Sequence, residues 1–243
     1  MEGHKIENSF QGFCEIMDKL LSDEGCAWDR AQTHESLRQY LLEEAYEAID
    51  AINKNDTDSL CEELGDILLE VVFHSKIAQK QNQFTVDDVI SGITKKIINR
   101  HRHIFGNAEA LTPEGVSASW DKIKDEEKGY KNVTEKMRAV PIALPAMVRA
   151  EKIQKRSELK KSITIEDAGD ILSLLQEILD VCVDCSNSYN TVSVDATEPD
   201  KQHIERQIGM MLFHIVRICR LFKVNPEFAL TNALETYITR FEN

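Results

Sequence analysis

Between Glu43 and Glu70 the chain carries ten acidic side chains and one lysine, Lys54. Four of the acids interrupt apolar stripes at helical spacing. Glu44 and Glu47 stand in the run Leu37, Tyr40, Leu41, Glu44, Glu47, Ala48, Ala51, Ile52, which advances by threes and fours along one helix face. Glu63 and Asp66 are flanked in the same way by Leu60, Leu64, Ile67 and Leu69. Asn53-Lys54-Asn55-Asp56 reads as a short turn between the two runs, so the helices are expected to be antiparallel neighbours. Two carboxylates from each then meet at one level. Four such groups cannot all stay ionised without cations: their pKa values rise, or a metal neutralises them. Burying even one unpaired carboxylate is costly. Oxygen-only donors suit hard cations, Mg²⁺ or Mn²⁺. A solvated acidic face and a structural salt-bridge net are the competing readings of the same spacing. Gly65, inside the second helix at a cost of roughly 1 kcal/mol against Ala, suggests close approach by a partner helix or a ligand.

The elements that must hold these acids are helical. Among 243 residues only 10 are Gly and 5 are Pro, which argues for long helices over a many-turned β protein. The expected fold class is all-α. Residues 5–22 form a first helix, followed by Cys26–Asp29 as a loop. Thr33 caps a second helix to about Asn53, with Glu35 in its first turn and Ser36 a less than ideal third partner. Asp56 or Asp58 caps a third helix to about Gln81, and Thr85 a fourth to near Arg102. Residues 106–145 gather Gly106, Pro113, Gly115, Gly129, Pro141 and Pro145, with a short helix expected around Trp120 and a linker in the later part. The domains are therefore placed at 1–135 and 141–243. The loop Ser186–Pro199 is the most polar stretch.

The net charge of −13 repels a phosphate backbone, so binding to polymeric nucleic acid is disfavoured. No apolar run is long enough to cross a bilayer. MEGHKIENSF has no apolar signal core, so a cytoplasmic location is expected. The six cysteines then read as free, mostly buried thiols, and the lone Cys182-Val183-Asp184-Cys185 as packing rather than zinc.

Glu43-Glu44-Ala45-Tyr46-Glu47 followed by Glu63-Leu64-Gly65-Asp66 resembles the EExxE…ExxD signature of the all-α nucleoside triphosphate pyrophosphohydrolases. Trp28–Leu37, Tyr40–Glu47, Glu62–Leu69, Arg100–Gly106 and the later Trp120-x-x-x-Lys124-x-x-x-Lys128 resemble the MazG family in particular, over about residues 8–130. Ala27 and Arg102 stand where that family usually has Pro. The resemblance implies Glu44, Glu47, Glu63 and Asp66 as Mg²⁺ ligands, Glu43 as a water-orienting carboxylate, hydrolysis of a nucleoside triphosphate to monophosphate and pyrophosphate, a role in removing non-standard or excess nucleotides, and a homodimer. It also raises Lys96 and Arg100, which share a helix face, and Lys124 as phosphate contacts. Trp120 and Trp28 either stack on a base or fill core space.

The second half reads as a worn copy of the first, a degenerate MazG-like helical half. Gly209–Val216 repeats the apolar pattern of Gly65–Val72, and Leu174–Asp180 echoes Leu41–Glu47. However, Met210 stands for Asp66 and Gln207 for Glu63. Neither can replace an anionic ligand for a hard cation, so this half is expected to be catalytically silent. The alternative for the whole chain is a non-catalytic nucleotide-sensing or partner-binding helical protein. A ferritin-like di-iron bundle would need Glu-x-x-His pairs, and Glu70 and His74 are four apart.

Overall fold

The structure is a computed structural model that describes residues 7–106, 112–157 and 198–240, together with Gly169, Leu172, Ser173 and Gln176. Every regular element among the described residues is a helix. The chain divides between Lys124 and Asp125 into two compact units. That boundary falls within the 106–145 stretch, ahead of the bounds of 135 and 141 read from the sequence.

Unit 1 begins with α1 (Phe10–Leu20), capped by Ser9, whose hydroxyl accepts from the Gly12 amide. The expected loop after it is instead a single helical turn, α2 (Ala27–Arg30). Gly25 is required between them, because a Cβ there would meet the Leu20 carbonyl oxygen at 2.1 Å. α3 (His34–Lys54) and α4 (Thr57–Lys80) form the long hairpin. Ser36 proves a full partner in the α3 cap: its hydroxyl accepts from the Thr33 amide while the Thr33 hydroxyl accepts from the Ser36 amide. The turn into α4 is two residues long. Asn55 takes the left-handed conformation (φ 55°), and Asp56 accepts from the Asp58 and Ser59 amides. So tight a turn forces α3 and α4 side by side and antiparallel. α5 (Val86–Arg100) starts in a Thr85–Asp88 capping box, and α6 (Arg102–Phe105) is one turn long. The element around Trp120 is a full helix of 16 residues, α7 (Pro113–Lys128).

The core of unit 1 is Cys14, Met17 and Leu21 from α1 and its end, Leu37 from α3, and Val72, Phe73 and Ile77 from α4. Each large apolar side chain buried there stabilises by roughly 1.5–3 kcal/mol. The stripe on α3 is covered in part: Leu37, Ala48 and Ala51 are buried, whereas Tyr40, Leu41 and Ile52 are exposed. Gly65 shows no close approach, since its Cβ position meets nothing within 4 Å. The thiols also differ from expectation: Cys14 is buried, but Cys26 and Cys61 are exposed.

Unit 2 holds α8 (Val133–Arg138), α9 (Ala146–Arg156), α10 (Glu198–Leu221) and α11 (Pro226–Thr239). α9 packs on α10 and α11, around Val216, Val140 and Gln154, all buried. The Cys182–Cys185 pair, most of Leu174–Asp180 and most of the Ser186–Pro199 loop lie outside the described residues.

Candidate metal centre on the helical hairpin

In the antiparallel hairpin Glu44 lies level with Asp66, and Glu47 level with Glu63. The structure brings three of these together: one carboxylate oxygen from each of Glu44, Glu63 and Asp66 lies within 4.8 Å of the others. All three are half-buried. Glu47 and Glu43 fall outside that group. Glu47 is exposed, next to Glu63 on an open cleft also lined by Asp50, Lys54, Asp56 and Ser59. Glu43 is exposed and accepts from Gln39 one turn back, at 2.8 Å.

The electrostatics are those of crowded acids. Burial, then the charges of Asp66, Glu47 and Glu63, push the Glu44 carboxyl above the usual carboxylate range. Burial, then Glu47, Glu62 and Asp66, do the same to Glu63. Glu44 and Glu63 are hydrogen-bonded to each other, with the proton favoured on Glu44. Two acids sharing one proton is how such a cluster lowers its repulsion when no cation is at hand. The donors are all oxygen, anionic and closely spaced on a rigid hairpin. That set fits a hard divalent cation.

Sequence spacing missed one acid beside the cluster. Glu70 stands one turn beyond Asp66 on α4 and is 5% exposed. Its Oε2 is buried without a hydrogen-bond partner, and burial, then the Asp66 charge, raise its pKa. The His74 Nε2 lies 3.9 Å from that oxygen, and His74 Nδ1 is 2.8 Å from Nδ1 of His34. Burial, then His34, hold His74 below its ordinary value, so this is a neutral polar chain rather than an ion pair. The signal was present in the sequence, as Glu70 follows Glu63 and Asp66 at helical spacing.

Of the expected phosphate contacts, Lys96 is exposed on α5, while Arg100 is buried. The Arg100 guanidinium lies over the Trp120 indole, 5.0 Å from its centroid, and the His101 ring meets the same indole edge-on at 5.2 Å. Trp120 therefore packs a cation rather than presenting a bare ring. Lys124 is half-buried on α7. Trp28 is exposed and sits edge-on to Tyr40 at 6.4 Å. No helix among the described residues is long and apolar enough to cross a membrane.

Residues 32–105 match the MazG nucleotide pyrophosphohydrolase domain, a span that contains every carboxylate of the cluster. The chain is 36% identical over 233 residues to the Thermotoga maritima nucleoside triphosphate pyrophosphohydrolase/pyrophosphatase MazG, covering 96% of this chain and 84% of that one. It is 34% identical over 237 residues to an Escherichia coli K12 nucleoside triphosphate pyrophosphohydrolase, covering 96% and 86%. It is also 37% identical over 238 residues to the Bacillus subtilis uncharacterized protein YabN, covering 97% of this chain and 46% of that one. With the cluster lying inside the matched domain and the likeness running through both units, the chain belongs to the MazG family of nucleotide pyrophosphohydrolases.

Proposed function

We propose that this chain hydrolyses nucleoside triphosphates to nucleoside monophosphate and pyrophosphate with Mg²⁺, and that Mn²⁺ can substitute. The observation that carries the proposal is the approach of Glu44, Glu63 and Asp66 to within 4.8 Å on one hairpin. These three, with Glu47 turning in from its exposed position beside Glu63, would hold the metal. Bound there, a divalent cation supplies neutralisation of phosphate oxygens and an acidified water. The hairpin core keeps the carboxylates in place, so their repulsion is already built in before substrate arrives. Glu43, next in the chain to Glu44 and exposed, orients the attacking water, and a carboxylate at the edge of the cluster accepts its proton. Water adds at the α-phosphorus, the bond to the bridging oxygen breaks, and pyrophosphate leaves. Lys96, Arg100 and Lys124 offset charge on the triphosphate, and Trp120 holds Arg100 in position for this.

The substrates on this reading are nucleoside triphosphates, non-standard or in excess. The exposed apolar residues of the hairpin, among them Tyr40, Leu41, Leu64 and Leu68, are the face a second copy of the chain covers in a homodimer. The test is a panel of canonical, deoxy and damaged triphosphates with Mg²⁺, scored for product. Pyrophosphate with no orthophosphate is expected. Thermal stabilisation by nucleotide with no product would point to a sensing protein instead.

A further inference from the structure

Unit 2 contains an open cavity where α9 and the end of α10 meet the start of α11. In unit 1 the corner between α1 and the last turns of α4 is filled by the chain's own side chains. Lys76 Nζ donates to Asp18 at 2.7 Å, and Lys80 Nζ donates to the Leu21 carbonyl. Extending the match of Gly65–Val72 with Gly209–Val216 along the sequence sets Arg220 against Lys76 and Val224 against Lys80. Val224 has no amine to reach across the corner. Gln154 is fully buried, donates to the Phe213 carbonyl at 2.6 Å and accepts from Arg220 Nη1 at 3.3 Å. What remains is a cavity of about 360 Å³ lined by Glu151, Lys155, Arg220, Lys223, Val224 and Asn225.

Its charge is opposite to that of the chain. Three cations face it against one carboxylate, in a protein of net charge −13. Arg220 is partly desolvated, which works against its cation, and Arg217 adds repulsion while Glu151 offsets it. Lys223 adopts the left-handed conformation (φ 56°), which ends α10 and turns the chain into Asn225 and α11. Asn225, on the cavity wall, caps α11: its side chain accepts from the Glu227 and Phe228 amides, so that helix end is already satisfied. At physiological salt the screening length is about 8 Å, so these local charges outweigh the distant acids.

We propose that this cavity binds a phosphate-class oxyanion, with the Arg220 guanidinium making a forked contact and Lys155 and Lys223 supplying point charges. Orthophosphate, pyrophosphate and the phosphate tail of a nucleotide share that chemistry. The site is separate from the carboxylate cluster, which repels phosphates unless a divalent cation is present.

Calorimetric titration of the full chain in EDTA tests this, with orthophosphate, pyrophosphate and ATP as separate arms. EDTA silences the hairpin and any turnover, so the result is independent of the proposed hydrolysis. At least one arm is expected to show one site per chain. Arg220→Gln with Lys223→Gln should weaken that binding at least tenfold, and Glu151→Gln should tighten it severalfold. Lys223→Gln alone, at an exposed position, gives a variant whose fold is not at stake and should still weaken binding measurably. The proposal is overturned if none of the three anions binds the parent chain, or if Lys223→Gln and the double variant both bind as the parent does.

Discussion

α4 of unit 1 and α10 of unit 2 share an apolar pattern but carry different polar residues. Val72 and Val216 hold corresponding places, and both are wholly buried. On the neighbouring positions unit 1 has Glu63, Asp66 and Glu70, where unit 2 has Gln207, Met210 and His214. Met210 is 48% exposed, so the change did not convert a ligand position into core. The pattern that packs a helix and the acids of the cluster vary independently, because they occupy different faces.

The largest expected effect breaks this contrast at its centre. Asp66→Ala or Glu44→Ala should lower pyrophosphate release about 10³-fold or more, a loss of about 4 kcal/mol. Gln207→Ala and Met210→Ala should leave it within about twofold, as steady-state assays would show. Residues 141–243 alone should release no pyrophosphate with Mg²⁺, and clear turnover would end the view of unit 2 as silent.

Next in size is the buried cation of unit 1. The Lys76 side chain is 9% exposed and bonded to Asp18. Lys76→Met should cost about 2 kcal/mol by urea unfolding, the range for a charged hydrogen bond. Arg220→Met should cost less, since its guanidinium borders a cavity.

Smaller effects follow from pH. Glu44, Glu63 and Glu70 all have raised pKa values in the folded chain. The folded state therefore holds protons that the unfolded state gives up, and metal-free stability falls as pH rises above the unfolded value of about 4.3 through the raised folded values. On the proposed reading Mg²⁺ competes with those protons. Its stabilisation should amount to a few degrees in melting temperature at pH 8 and be smaller at pH 5. Glu70→Gln removes one of the three acids without removing a ligand. It should stabilise the metal-free chain by about 1 kcal/mol at pH 8, the scale of an unsatisfied buried group, and by less at pH 5.

Much of the fold was legible because its signals are local. Thr33, Asp56 and Thr85 each accept amide bonds at the helix starts that their types and positions indicated. The Asn55–Asp56 turn fixes the hairpin, and with it the level at which the acids meet. Where the reading slipped, a short-range competition decided: Ser36, read as a less than ideal third partner, completes the cap, and Ala27–Arg30 closes into one turn of helix.

The sequence by itself determined which acids share a helix face and, through the short turn read at Asn53–Asp56, that the two helices are antiparallel neighbours, because periodicity and turn chemistry are local. Only the tertiary structure decided that Glu44, Glu63 and Asp66 close up while Glu47 stays outside, that Glu70 is buried, and that Trp120 is covered by Arg100. Those outcomes depend on rotamers and on which neighbours exclude water, and helical spacing fixes the direction of a side chain but not its surroundings.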